Sequence, residues 1–350
     1  MKILIIKISA LGDVVHSLPV ANVLKNSIPN ISLHYVVGEL SKSILINNPI
    51  IDKVYVLPKS KSKNFIKEYF KLGQLIQSEN YDAVIDLQGL FKSGLVCFLS
   101  KSPVRIGFKD SREFSSIFYN HRVNVGDYFN INESIIKTNL KLGNYLLNLL
   151  NLEPGSGIGI EFPLPKTNLE DENTINRLIN FSHKDNDPIF VIVPNTTWDS
   201  KNYPLDNYVN LINALNYKIK SKIVIIGSAS DIATNQYIVK NLAQSNNVYD
   251  LTGKTSINDL FYLFEIADLV IGGDTGPVHL AAAINKANIM AIYGASPKIR
   301  NGPPGNKVSV FSLNLACQPC FKTKCPLKTK ACLYDLDFNL IVRKIEEIYG

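Results

Sequence analysis

Side chains that could bind an anion follow the apolar run Leu269–Ile271, which is predicted to be a buried strand. A helix Pro277–Ile284 is predicted next, because proline suits a first helical turn, where its missing N–H would have no partner. Open N–H groups at a helix start, together with the helix dipole, favour a phosphate. The groups that could surround such an anion are Asp274, Thr275, Gly276 and His279. The alternative is a capped helix that carries one incidental histidine.

A second set of polar side chains follows the apolar run Ile189–Val193. Thr196 and Thr197 offer hydroxyl donors, and Lys201 offers a point charge suited to phosphate. If the sheet places these groups beside the first set, the two sets together would hold a diphosphate.

A nucleotide would also need contacts to its ribose and its base. Asp231 follows the predicted strand Lys222–Ile226 and could meet ribose hydroxyls, while Thr255 lies in the segment Thr252–Ser256, which could flank the base. Neither segment is a dinucleotide-binding fingerprint or a P-loop. Each could equally be an ordinary turn.

A carboxylate, Asp13, directly follows Gly12 at the predicted end of the first strand. If a diphosphate-linked sugar is held by the other sites, displacement with inversion needs one carboxylate to take the proton of the acceptor hydroxyl. Backbone N–H groups from Ser9 to Gly12 could hold substrate oxygens. The alternative for Asp13 is a helix N-cap.

The elements that must position these residues alternate between apolar strands and helical stretches, which is the α/β pattern. The segment Glu153–Lys166, rich in proline and glycine, is the predicted linker. We therefore predict two doubly wound Rossmann-like domains that face each other across a cleft, residues 1–165 and 166–335. The amphipathic helix Asp337–Tyr349, within a last segment 336–350, is expected to pack back on the first domain. Ligands of such sheets bind beyond the carboxyl ends of the strands.

Composition narrows the class of protein. The net charge is +7, and a lysine cluster extends from Lys59 to Lys71; it is either a solvated helix face or a patch that faces phosphates. No nucleic-acid reader motif accompanies it, so no nucleic-acid partner is expected.

The segment Met1–Lys7 resembles a first strand rather than a signal peptide, and no apolar run is long enough to span a bilayer. A cytoplasmic protein is expected.

Two further patterns raise the question of metals. Cys317, Cys320, Cys325 and Cys332 could hold a structural zinc or be free or loosely packed thiols, and disulfides are not expected in the cytoplasm. Asp185 and Asp187 flank Asn186 in a polar loop before a predicted strand, at its amino end, so we interpret them as a turn and predict no catalytic metal. Lys201, His279 and the helix N-terminus would instead meet the charge of the leaving group.

Five segments together resemble a known enzyme family, and they occur in its order: KISALGDVVHSLP, VIDLQGLFKSG, RIGFKDSREFSSIFYNHRV, NTTWDSKNYP and GGDTGPVHLAAA. The family is that of the bacterial ADP-heptose:lipopolysaccharide heptosyltransferases, glycosyltransferase family 9, whose fold is GT-B. The stretch SREFSSIFYNHR resembles the heptosyltransferase I branch, which adds the first L-glycero-D-manno-heptose to a Kdo residue of lipid A.

The resemblance implies an inverting, metal-independent transferase with Asp13 as the base, no cofactor and ADP-heptose as the donor. It implies donor contacts from Thr196, Thr197, Lys201, Asp231, Asp274, Thr275, Gly276 and His279, and acceptor contacts from Lys63, Arg112 and Arg122. Asp231 stands where the family has glutamate, which weakens its assignment. The acceptor would be Kdo-lipid A, met by a monomer peripheral to the inner face of the inner membrane. Alternatives are another family 9 transferase (heptosyltransferase II-like), a GT-B sugar-nucleotide epimerase, or a non-catalytic sugar-nucleotide-binding protein.

Overall fold

The computed structural model describes residues 1–58, 64–155, 159–179 and 187–350, which form two compact units, Met1–Lys166 and Thr167–Gly350. Each unit is built on one parallel sheet, which within the described residues has six strands. The unit boundary falls at the end of the predicted linker Glu153–Lys166. Both doubly wound sheets were predicted from the alternating pattern.

The first unit carries its strands in the order β3-β2-β1-β4-β5-β6. The strands are β1 (Lys2–Ile6), β2 (Ser32–Gly38), β3 (Lys53–Leu57), β4 (Ala83–Asp86), β5 (Val104–Phe108) and β6 (His121–Val123). The helices are α1 (Leu11–Val15), α2 (Leu18–Ser27), α3 (Phe65–Ser78), α4 (Phe91–Leu99) and α5 (Ile135–Leu149), with 3₁₀ segments at Glu39–Ile44 and Arg112–Phe118. Right-handed crossovers place α3 and α4 on one face of the sheet and α2 on the other, where α2 packs with α5.

The second unit has the order β12-β11-β10-β7-β8-β9. Its strands are β7 (Ile189–Val193), β8 (Lys222–Ile225), β9 (Val248–Asp250), β10 (Leu269–Gly273), β11 (Asn288–Ile292) and β12 (Val308–Phe311). Its helices are α6 (Leu169–Leu178), α7 (Leu205–Lys218), α8 (Ile232–Lys240), α9 (Ile257–Ile266), α10 (Gly276–Ile284), α11 (Ala331–Tyr334) and α12 (Phe338–Tyr349), with 3₁₀ turns at Asp199–Lys201 and Ala229–Asp231.

The strand order reverses at one point in each sheet. In the first sheet β1 pairs with β4 as well as with β2, and in the second β7 pairs with β10 as well as with β8. Such a switch point opens a crevice beyond the carboxyl ends of its two central strands, where ligands of these sheets bind. Asp13 follows β1, while Lys201 and Asp274 follow β7 and β10. The topology therefore places the candidate residues at the two switch points.

The C-terminal helix α12 packs within the second unit. Its apolar face, Ile341, Val342 and Ile345, is fully buried with core residues of α7 and of the second sheet. The sequence analysis expected this helix on the first domain, and this packing differs from that expectation. The reason is that α7 and the sheet offer an apolar surface that matches the spacing of the three side chains.

Membrane-spanning segments were searched for within the described ranges. No helix there combines the length and the apolar character that a bilayer crossing requires.

Candidate functional site

A buried ion cluster lies at the switch point of the second sheet. The Asp274 carboxylate accepts a hydrogen bond from Lys201 Nζ at 2.6 Å through Oδ2. Its other oxygen, Oδ1, lies 2.9 Å from His279 Nε2. The side chain of Asp274 is only 8% exposed. Three of the predicted donor residues are therefore brought together by direct contacts, with the carboxylate at the centre.

The charges of this cluster determine its protonation. Burial alone would raise the pKa of the Asp274 carboxyl, but His279 and Lys201 outweigh burial and hold that pKa well below its ordinary value. The carboxylate is therefore ionised and can only accept, so His279 Nε2 must carry the hydrogen and donate it. This fixes the orientation of the imidazole ring and leaves Lys201 as a cation at the edge of the cluster.

Two glycines allow the loops of this site to approach each other closely. A Cβ at Gly272 would lie 2.8 Å from the carbonyl oxygen of Val193 and 2.8 Å from a methyl of Val278, and a Cβ at Gly273 would lie 2.9 Å from Thr196 Cγ2. All three distances are shorter than those that real Cβ atoms show. The Gly272-Gly273 pair is thus required for β10 to pack against both the β7 loop and α10.

The loop after β7 is held by its own polar groups. Thr196 N–H donates to Asn202 Oδ1 at 2.8 Å, and its hydroxyl lies within 2.9 Å of both Asn202 Oδ1 and the Trp198 carbonyl. The Trp198 ring lies under Lys201, with Nζ 4.3 Å from the ring centroid, a cation–π arrangement. Thr197 is exposed. Thr196 thus shapes the loop and Thr197 is at its surface, whereas the side chain of Lys201 is only 15% exposed.

The start of α10 lacks the side-chain cap that the alternative interpretation, a capped helix, would have. Thr275 occupies the N-cap position, but no side-chain cap hydrogen bond is formed there, and the Asp274 carboxylate is used by Lys201 and His279. Gly276 begins the helix and Pro277 follows. A helix N-terminus leaves its first N–H groups without intrahelical partners, so this end remains suited to an anion.

The two candidate ribose and base loops lie next to each other. Gly253 N–H donates to the Gly227 carbonyl at 2.8 Å, which joins the loop after β9 to the loop after β8. Asp231 turns back on its own loop, where Oδ2 accepts from both the N–H and the hydroxyl of Ser228. Thr255 is half-exposed and precedes Ser256, the N-cap of α9. Asp231 thus has a structural role in the loop.

Two further polar side chains near the switch point were missed by the sequence analysis. Asn195 Oδ1 follows β7 and Ser296 Oγ follows β11, and both are buried atoms without a hydrogen-bond partner in the described structure. A buried polar atom that is left unpaired is costly, so each is suited to a ligand contact. The signal available in the sequence was only their position in the loops that follow the buried strands β7, which ends at Val193, and β11, which ends at Ile292.

The turn that carries Lys201 is hydrogen-bonded to the segment 317–332, here called the cysteine-rich segment. Ser200 is buried, its hydroxyl donates to the Lys322 carbonyl, and its N–H donates to the Thr323 carbonyl at 3.2 Å. Asp199 pairs with Lys330 Nζ at 2.5 Å. The cysteine-rich segment therefore fixes the position of Lys201 from outside the switch point.

This attachment gives a testable prediction. Replacing Ser200 by alanine removes one buried hydrogen bond, worth about 1 kcal/mol, and should raise the Kd for ADP about fivefold because the Lys201 turn loosens. Isothermal calorimetry measures the affinity. Ser102→Ala is the matched control: it removes a buried hydroxyl that donates to the Val104 carbonyl in the first unit and should leave ADP affinity unchanged. Equal affinities in Ser200→Ala and wild type would contradict this role.

The four cysteines do not form a metal site in this structure. Within the described ranges, no three His, Cys, Asp or Glu side chains are grouped so that they could hold a metal ion. Cys332 packs against the core beside Gly294, whereas Cys317 is exposed. All four are free cysteines. Burial, and after it the charges of the other three thiols, raise the pKa of the Cys332 thiol to about 11, and a structural zinc stays a prediction.

At the switch point of the first sheet, Asp13 lies in the first turns of α1. Its Oδ2 accepts from the Ala10 N–H at 3.0 Å. Ala10 is the N-cap residue and Asp13 lies at the third position of the helix, so Asp13 is not the N-cap that the alternative expected. Gly12 is buried and Ser9 is exposed. The Ser9 N–H, which was a candidate for substrate oxygens, instead donates to Gln88 Oε1 at 3.0 Å.

Gln88, which the sequence analysis did not single out, fixes the loop that leads to Asp13. Its Oε1 also accepts from the Ile8 N–H at 2.9 Å, and its own N–H donates to Asp86 Oδ1 at 2.8 Å. Asp86 is fully buried, and burial raises the pKa of its carboxyl although Tyr119 and other donors oppose this. The loops after β1 and β4 are therefore one hydrogen-bonded unit.

The acceptor candidates are less closely grouped. Arg112 and Arg122 are exposed, and the Arg112 guanidinium lies 5.9 Å from the centroid of the Phe129 ring. Lys63 lies outside the described residues, as do Lys59 and Lys61 of the lysine cluster and Asp185. No contact in the described part joins either arginine to Asp13.

The sequence of this chain is similar to those of known proteins. The family model for glycosyltransferase family 9 (heptosyltransferase) matches residues 69–331, most of the chain. A lipopolysaccharide heptosyltransferase 1 of Campylobacter coli is 28% identical over 356 aligned residues, which cover 100% of this chain and 99% of that protein.

Solved structures show the same fold. The chain is similar to the E. coli ADP-heptose lps heptosyltransferase II, with a TM-score of 0.79 at 20% identity over 100% of this chain and 98% of the other. It is also similar to E. coli heptosyltransferase WaaC with ADP, with a TM-score of 0.74 at 23% identity over 99% of both. The predicted GT-B fold class is thereby confirmed.

Proposed function

We propose, from the premise that this chain belongs to glycosyltransferase family 9, the heptosyltransferases, that it transfers L-glycero-D-manno-heptose from ADP-heptose to a Kdo residue of lipid A. The observation that carries the proposal is the Lys201–Asp274–His279 cluster beside the N-terminus of α10. A cation next to open helix N–H groups fits a nucleoside diphosphate. The ADP-bound state of the similar E. coli enzyme agrees with this choice.

The proposed donor site uses each element for one part of the nucleotide sugar. Lys201 and the N–H groups at Thr275 and Gly276 hold the diphosphate, with Thr197 as a hydroxyl donor. The loops that carry Asp231 and Thr255 hold the ribose and the adenine. His279, fixed by Asp274, supports the same anion from the first turn of α10. These groups are in place before the reaction, so they can stabilise the charge that develops on the ADP leaving group.

The proposed chemistry inverts the anomeric centre in one displacement. Asp13 takes the proton of the acceptor hydroxyl as that oxygen forms the bond to the anomeric carbon, while the bond from this carbon to the ADP oxygen breaks. The loop fastened by Gln88 presents the carboxylate, and Arg112, Arg122 and Lys63 attract the acidic acceptor. The products are the heptosylated acceptor and ADP.

Because Lys201 and the helix N-terminus meet the charge of the leaving group, we propose a metal-independent reaction. Adding EDTA is expected to leave the turnover rate unchanged, measured as ADP release. A control with an Mg²⁺-dependent glycosyltransferase in the same buffer shows that the chelator is effective. A strict requirement for a divalent cation would contradict the proposed mechanism.

The acceptor is the finer part of the proposal. We propose Kdo-lipid A, met by a monomer at the inner face of the inner membrane, and the similarity to a heptosyltransferase 1 across the whole chain favours it. The second candidate is a heptosyltransferase II-like enzyme, which the fold favours equally. Mass spectrometry after incubation with ADP-heptose and either Kdo-lipid A or heptosylated Kdo-lipid A tests this. A gain of one heptose on Kdo-lipid A supports the proposal, and a gain on the heptosylated acceptor alone overturns the choice.

A further inference from the structure

Three neighbouring elements of the first unit expose large apolar side chains on one face of the sheet. The elements are α3, α4 and the 3₁₀ segment Arg112–Phe118. The exposed side chains, here called the α3–α4 surface, are Ile66, Phe70, Phe91, Phe98, Phe114 and Ile117. Ile66 is 71% exposed and Phe114 is 82% exposed. Single exposed apolar residues are common, whereas a group on adjacent elements marks an interaction site.

Close packing makes the surface continuous. On the α3 side, a Cβ at Gly73 would lie 2.8 Å from Leu99 Cδ1 of α4, and the Tyr69 hydroxyl donates to the Lys92 carbonyl. On the other side, the ring centroid of Phe118 lies 5.2 Å from that of Phe91 and 5.9 Å from that of Phe98. The three elements therefore form one layer with its outer side chains in solvent.

The helix α3 combines apolar and cationic side chains on its exposed side. Ile66 and Phe70 are spaced i, i+4, and each is followed directly by an exposed lysine, Lys67 or Lys71. Tyr69 and Leu72 point into the core instead. Lys92 adds a further exposed cation on α4. The acid on this side of α3 is Glu68, while Glu113 accepts from the Phe91 N–H at 3.1 Å.

We propose that the α3–α4 surface docks on an anionic lipid bilayer, with its phenylalanine and isoleucine side chains in the headgroup region and its lysines on lipid phosphates. Phenylalanine and aliphatic side chains beside lysines are the composition of interfacial membrane-binding faces. This inference deepens the proposed function, because a lipid A acceptor lies in a bilayer.

The charges favour a bilayer over a second copy of the chain. A symmetric contact between two copies presents the same patch to itself. The patch carries three exposed lysines, Lys67, Lys71 and Lys92, against the two acids Glu68 and Glu113. Two copies would therefore bring together surfaces that both carry an excess of positive charge, and like charges across an interface are unfavourable. A surface rich in anionic phosphates complements the same lysines.

Sedimentation with lipid vesicles tests the proposal on the full chain. Wild type should bind vesicles of phosphatidylcholine with phosphatidylglycerol much better than vesicles of phosphatidylcholine alone. Ile66→Ser with Phe70→Ser should weaken binding at least about tenfold at any salt concentration. Lys67→Gln with Lys71→Gln should weaken binding about tenfold or more at low salt and converge with wild type at 1 M salt, where screening is strong.

Matched controls carry the same changes in the second unit. Leu169→Ser with Tyr217→Ser replaces two exposed apolar side chains, and Lys240→Gln with Lys286→Gln removes two exposed lysines. Both should bind vesicles like wild type. Equal vesicle binding by wild type, both α3 variants and both controls would overturn the proposal. A concentration-dependent doubling of mass in light scattering, lost in the α3 variants, would overturn it in favour of a second copy.

Activity separates this inference from the proposed function. On a water-soluble acceptor with the acyl chains removed, both α3 variants should keep the kcat of wild type. On acceptor embedded in vesicles, their KM should rise about tenfold. If both variants kept the KM of wild type on embedded acceptor, the proposed docking surface would be contradicted and the proposed function would not. An absence of turnover on any acceptor, with vesicle binding intact, would contradict the proposed function alone.

Discussion

Replacing Asp13 by asparagine is expected to lower kcat by about 100-fold or more, while the affinity for ADP stays nearly unchanged. General-base catalysis typically contributes about 10²–10⁴-fold, and asparagine has no carboxylate to take the proton of the acceptor hydroxyl. Its amide oxygen can still accept from the Ala10 N–H, as Asp13 Oδ2 does at 3.0 Å. The loop should therefore keep its shape. Initial rates at saturating donor and acceptor measure kcat, and calorimetry measures ADP affinity.

The control for Asp13 is another aspartate of the same unit with the same kind of contact. Asp82 Oδ2 accepts from the Lys2 N–H at 2.7 Å, and it lies before β4, at the amino edge of the sheet. Asp82→Asn should keep full turnover. If Asp13→Asn were as active as Asp82→Asn, Asp13 would have no part in the reaction and its contact with Ala10 would be its whole role.

Replacing Lys201 by alanine is expected to raise the Kd for ADP by at least about tenfold. A hydrogen bond to a charged group contributes about 1.5–3 kcal/mol, which corresponds to roughly 10–150-fold in affinity. The loss is increased because the Asp274 carboxylate, deprived of its partner at 2.6 Å, would remain beside the bound diphosphate. Calorimetric titration with ADP measures the change.

Two further measurements identify the origin of this effect. Lys220→Ala removes an exposed ion pair with Asp187 and should leave ADP affinity unchanged. The pKa of the Asp274 carboxyl is lower in the folded protein than its value of 3.8 in the unfolded chain. The ionised carboxylate therefore stabilises the fold at pH values above 3.8, and this stabilisation is lost as the pH falls further. Lys201→Ala should therefore have a lower free energy of unfolding than wild type near neutral pH, and this difference should shrink below about pH 4. If Lys201→Ala bound ADP as tightly as wild type, Lys201 would not hold the diphosphate.

The fold could largely be predicted from the sequence because its signals are local. The strand Ile189–Val193 has the predicted bounds, and the predicted strand Lys222–Ile226 ends one residue earlier in the structure, since parallel strands buried on both faces are continuous apolar runs. The short edge strands β6 and β12 and the helix α5 were not predicted. Edge strands are half-exposed, and their runs lack the apolar contrast of central strands.

Contacts within the sites were less predictable, because they join residues that are distant in sequence. Asp274, Lys201 and His279 were all candidates, but their sequence does not show that the carboxylate lies between the lysine ammonium and the imidazole. The roles of Gln88 and Ser200 depend on loops from other strands. The same holds for the cysteines: spacing alone does not show that Cys332 is partly buried against the core while Cys317 is exposed.

The coupling of ADP release to acceptor modification is the decisive test of the proposed heptose transfer. Purified protein is incubated with ADP-heptose and Kdo-lipid A, and ADP is quantified beside the heptosylated product, whose anomeric configuration is determined by NMR. We expect one ADP per heptose transferred, with inversion at the anomeric carbon. Product with retained configuration, or consumption of ADP-heptose without any heptosylated acceptor, would contradict it.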